Sequence, residues 1–81
     1  MKHTVKLEIA TPKGVFRGAF DKTTKVEEVI KTVVSEMDLD GSDSFELAYN
    51  GTVLEPKERP LVSFGIECGA RLELIATGSG V

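Results

Sequence analysis

The chain opens on strict alternation, with Val5, Leu7 and Ile9 on one side and Lys6 and Glu8 on the other. That period-two spacing predicts a half-buried strand. Residues 10–14, Ala-Thr-Pro-Lys-Gly, are turn chemistry, with Pro12 fixing φ and Gly14 free to take positive φ. Alternation then resumes, Phe16, Gly18 and Phe20 facing in and Val15, Arg17 and Ala19 facing out, so the first twenty residues predict a hairpin. Next the period changes. Val26, Val29, Ile30, Val33, Val34 and Met37 fall at i, i+3, i+4, i+7, i+8 and i+11, the apolar stripe of a helix. Thr24 just before it, with Glu27 three residues on, forms a capping-box pattern, and Glu27 and Lys31 make a favourable i,i+4 pair. The segment is rich in β-branched residues, and Glu36 and Asp38 lie near its electronegative end. Such a helix should depend on packing against a sheet, not on its own propensity.

The second half returns to strands. Phe45, Leu47 and Tyr49 alternate with Glu46 and Ala48, and Asn50-Gly51 is a strong hairpin signal before a brief Thr52-Val53-Leu54 return strand. Pro56 and Pro60 bracket a charged loop, and Leu61, Phe64 and Ile66 read as a short helical turn plugging one end of the core. In the last strand Leu72, Leu74 and Ala76 alternate with Arg71, Glu73 and Ile75. A hairpin, one long helix and further strands with one packed face predict an α+β domain, its single helix lying across a mixed sheet.

With 81 residues there is room for one domain and one modest core, and little for a deep catalytic cavity. No apolar run approaches the ~20 residues of a membrane-spanning helix, and no secretory leader follows Met1. The lone Cys68 fits a reducing compartment, so a cytoplasmic location is expected. A net charge of −3, without clusters of Lys or Arg interleaved with aromatics, argues against nucleic acid as the main partner. Composition points to a small monomeric binding or carrier module, not a self-sufficient enzyme.

At this point the chain resembles ubiquitin and the β-grasp family of ubiquitin-like proteins. The resemblance covers essentially residues 4–81 and is strongest over Phe45-Glu-Leu-Ala-Tyr-Asn-Gly-Thr-Val-Leu-Glu, with Val26-Glu-Glu-Val29 and Val33 resembling the start of ubiquitin's helix. It implies a β-grasp body over residues 1–77 and a flexible tail over 78–81. It further implies a modifier whose C-terminal glycine is adenylated by an activating enzyme and then attached to protein targets, or a sulfur carrier bearing a terminal thiocarboxylate, or a non-covalent interaction domain. The tail reads Gly78-Ser79-Gly80-Val81. Glycine has no Cβ to obstruct an attacking nucleophile, whereas Val81 is β-branched, so a processing peptidase that exposes Gly80 is implied as a further partner.

The departures from ubiquitin are specific. Its outer apolar patch is matched here by Ala48, Ile75 and Glu73, a smaller and more acidic set, offered as the protein-binding patch. Its tail arginines are replaced by Thr77 and Ser79, and two lysines used in chain building by Thr52 and Cys68, although Lys13 lies in the first hairpin. These departures resemble a diverged member of the family, consistent with a prokaryotic source.

The remaining candidates for chemistry are weak. Cys68 lies in Glu-Cys-Gly with an acid, not a cation, beside it, and the only histidine, His3, sits at the far end of the chain. Asp38-Leu-Asp-Gly-Ser-Asp puts its glycine at position four where a calcium loop needs it at six, so a solvated loop is expected. Gly14 and Gly18 precede no helix and form no phosphate loop. No catalytic residue, metal site or cofactor is expected.

Overall fold

The computed structural model describes residues 3–39 and 44–77. The chain runs β1 (Thr4–Thr11), β2 (Gly14–Asp21), α1 (Val26–Glu36), β3 (Phe45–Tyr49), β4 (Thr52–Val53), a 3₁₀ turn (Leu61–Phe64) and β5 (Ala70–Ala76). The strands form one mixed sheet in the order β2-β1-β5-β3-β4. β1 and β5 pair in parallel at its centre, and the other pairs are antiparallel.

The first hairpin is tighter than the turn expected over residues 10–14. Thr11 pairs with Gly14, leaving only Pro12 and Lys13 in the loop, and Gly14 takes φ +124°, a region open to glycine. The Thr11 hydroxyl locks this corner by donating to the Gly14 carbonyl at 2.7 Å. At the second hairpin Asn50 and Gly51 both have positive φ, as the two-residue turn between paired Tyr49 and Thr52 demands.

Period-two alternation sends Leu7, Ile9, Leu47 and Leu72 to one face of the sheet, and α1 lays Val26, Val29 and Val33 against them. Leu61 from the 3₁₀ turn closes the end, and all eight side chains are fully buried. Each such side chain contributes about 1.5–3 kcal/mol relative to exposure. On the edge strand β2 the inward Phe16, Gly18 and Phe20 are only half-buried, because no further strand covers that side.

The start of α1 corrects two sequence expectations. The helix begins after Lys25 with no side-chain cap, so the Thr24–Glu27 capping box does not form. Instead the loop between Pro56 and Pro60 supplies carbonyls: the Val26 amide donates to Arg59 O at 3.0 Å and the Glu27 amide to Lys57 O at 3.0 Å. Orphan amides at a helix start need any acceptor, and a backbone loop held alongside serves as well as a hydroxyl. The ion pair on the helix joins Lys31 to Glu28, at 3.8 Å and three residues apart, in place of the expected Glu27–Lys31 pair. Among the described residues no helix is long and apolar enough to cross a membrane.

Candidate functional site

With one face of the sheet covered by α1, the side chains of the other face project away from the core. Its layout follows from register, since residues directly opposite on paired strands share a face. One row runs across all five strands: Val15 opposite Ala10, Ala10 beside Glu73, Glu73 opposite Ala48, and Ala48 opposite Val53. Ile75 stands two residues along β5 from Glu73, opposite Glu46. A second row places Arg17 opposite Glu8 and Glu8 beside Arg71.

The proposed patch residues fare differently. Ile75 is 40% exposed and Glu73 is exposed, so β5 presents both to solvent. Ala48 is only 3% exposed and cannot serve as a contact residue, which corrects the expected patch. Register does put Ala48 on the outer face, but its methyl group lies low between Glu73 and Val53 on the neighbouring strands. Val15, 53% exposed, adds apolar surface at the far end of the same row. Ala10 and Val53 were missed as members of the row, because their position depends on strand pairing and not on local alternation. The other site residues expected from the sequence, Gly78, Ser79, Gly80 and Val81, lie outside the described residues, as do Asp40 to Asp43 of the rejected calcium loop.

The second row is an ion-pair triad. Glu8 stands between two guanidinium groups, its Oε2 3.0 Å from Arg17 Nε and its Oε1 3.1 Å from Arg71 Nε. The hydrogen bond from Arg17 is the largest effect holding the Glu8 carboxyl below its ordinary range; desolvation opposes it, and the positive charge of both arginines and the hydrogen bond from Arg71 add to the lowering. At the end of β2 Asp21 is lowered for a local reason: it accepts from the Thr23 amide at 2.9 Å and the Thr23 hydroxyl at 2.7 Å.

Cys68 is exposed, and its Sγ accepts from the Lys6 amide at 3.5 Å. With Gly69 donating to Lys6 O at 2.6 Å, this contact joins the turn before β5 to β1. Among the described residues there is no group of three or more His, Cys, Asp or Glu side chains placed to hold a metal ion.

No family model matches the sequence, and no curated protein matches it either. Solved structures do match in shape. A designed protein based on ubiquitin superposes with a TM-score of 0.82 at 23% identity, covering 96% of this chain and 94% of that one. Ubiquitin from Caldiarchaeum subterraneum gives 0.79 at 22% identity over 96% of this chain and 99% of its own. The UBL domain of Plasmodium falciparum Dsk2 gives 0.78 at 16% identity over 91% and 99%. Strand order, the lone helix across the sheet and these superpositions agree: the chain has the ubiquitin-like β-grasp fold.

Proposed function

We propose that this protein is a ubiquitin-like modifier whose C-terminal glycine is activated and conjugated by partner enzymes after removal of Val81. The observation that carries this reading is the tie that holds Thr77, the last of the described residues, to the folded body. The Thr77 amide donates to Ser44 O at 2.8 Å and the Thr77 hydroxyl to the same carbonyl at 3.1 Å. Every residue after that tie is Gly, Ser or Val. A carboxylate that must thread an enzyme channel needs a short run of small residues beyond the last anchored one, and glycine leaves the carbonyl open to attack. Loss of Val81 gives Gly80 the carboxylate. Its oxygen then attacks the α-phosphorus of a nucleoside triphosphate held by the activating enzyme and displaces pyrophosphate. A thiol of that enzyme displaces the nucleotide, and a target amine finally displaces the thiol to leave an amide. The superposition on Caldiarchaeum ubiquitin supports this reading as a matter of shape.

The test is the intact mass of the protein recovered from its own cells. A population lacking Val81, with higher-mass protein adducts that disappear when residues 80–81 are deleted, is the expected result. Full-length unmodified protein alone would overturn it, and a gain equal to sulfur replacing oxygen would transfer the case to a sulfur carrier. The exposure of Ile75 and Val15 favours a second reading, a non-covalent interaction domain. Partner binding that persists after deletion of 78–81 and vanishes in Ile75→Asp would select it.

A further inference from the structure

The second row of the outer face carries chemistry that the patch around Ile75 does not. Lys6 is exposed on β1 two residues before Glu8, hence on the same face. Lys6, Arg17 and Arg71 border a shallow depression with Glu8, floored in part by the small residues Ala19 and Gly69. Three cations against one carboxylate leave a local charge of +2 on a chain whose net charge is −3.

The pairing within the triad is incomplete in a directed way. Each guanidinium meets a single oxygen of Glu8, and does so through Nε. Five N–H donors in a planar fork belong to each arginine, and the terminal nitrogens lie beyond Nε, farther from the backbone. Among the described residues neither arginine meets a second carboxylate at ion-pair distance, and their side chains are 74% and 85% exposed. Glu8 therefore fixes the two guanidiniums in place without saturating them. That is the condition for bidentate recognition of incoming carboxylates, with part of the ordering already done before binding.

We propose that Lys6, Arg17 and Arg71 form a docking surface for a short acidic segment of a partner protein, bound in extended conformation. The spacing fits. Arg17 and Arg71 sit on the strands either side of β1, about 9–10 Å apart, and Lys6 lies about 6.6 Å along β1 from the level of Glu8. Acidic side chains two residues apart in an extended segment point to one side and are separated by about 6.6 Å, within reach of these long cations. A segment of this kind matches the patch in extent as well as sign. A longer polyanion such as RNA would run onto Glu73 and Glu46 on the same face and into the negative field of the rest of the chain. The residues that form this surface include neither Ile75 nor any of the tail, so the proposal does not rest on conjugation.

The test uses the full chain and a fluorescent peptide of about ten residues in which Glu alternates with Thr, read by anisotropy and by amide shifts in NMR. Saturable binding is expected, with shifts centred on Lys6, Glu8, Arg17 and Arg71 and weakening as salt is raised. The double variant R17Q/R71Q should bind about tenfold or more weakly, while melting as the parent does because both side chains are exposed. Ile75→Ala should bind as the parent does. The proposal fails if R17Q/R71Q binds unchanged or if a Gln-for-Glu peptide binds equally well. It also fails if a single-stranded RNA of equal charge binds tighter than the acidic peptide.

Discussion

The two faces of this sheet are built from the same five strands, yet they obey different rules. On the inner face Leu7, Ile9, Leu47 and Leu72 are at most 2% exposed, and their worth lies in volume and fit against α1. On the outer face Val15 and Ile75 stand free, Ala48 lies hidden, and Glu8 holds two arginines. Inside, nearly any well-fitting hydrophobe serves, because burial is non-directional. Outside, side-chain height and the identity of each cross-strand neighbour decide what a partner meets.

Adjacent faces of β5 give the sharpest test of this contrast. Leu72→Ala should lower the free energy of unfolding by about 2–5 kcal/mol, since it opens a cavity against a core that cannot fully collapse. Ile75→Ala, three residues along on the outer face, should cost less than ~0.5 kcal/mol. Urea melts of the two variants measure both. Equal losses would mean that the two faces do not divide stability from surface chemistry.

A subtler division exists within the inner face, between its centre and its edge. On β2 a Cβ added at Gly18 would lie 2.9 Å from the ring of Phe16, which folds back over the glycine, its centroid 6.1 Å from that of Phe20. The ring is only half-buried and can give way, so Gly18→Ala should cost about 1 kcal/mol, well below the loss at Leu72. A loss as large as that of Leu72→Ala would show that the edge is packed as tightly as the centre.

What could be read from the sequence follows the same line. Period-two alternation marked both faces of β1, β2, β3 and β5, and the 3.6-residue stripe marked α1, because burial imposes those periods residue by residue. Asn50-Gly51 marked its turn because few other pairs tolerate two positive φ angles in succession. The failures were all matters of partnership. Thr24 carries the local signature of a cap, but carbonyls more than thirty residues away reach the helix start instead. Ala48 had the right face and the wrong height, a property set by Glu73 and Val53 across the strands. The triad was invisible because Glu8 and Arg71 meet only through the parallel pairing of β1 with β5, which nothing local encodes.

Acid should separate the faces last and most gently. The arginines lower the pKa of Glu8 in the folded state below its unfolded value. Its contribution to stability is therefore complete above the unfolded carboxylate pKa and is lost as pH falls through the lower, folded one. The difference in urea midpoint between the parent and Glu8→Gln should be small and constant near neutrality, then shrink to nothing once the medium is acid enough to protonate Glu8 in the fold. The gap between parent and Leu72→Ala should show no such convergence, because no proton is bound at that site. A Glu8→Gln difference that instead widened in acid would mean the carboxylate is disfavoured where it stands. The outer row would then be two arginines imposed on Glu8, and not two arginines held by it.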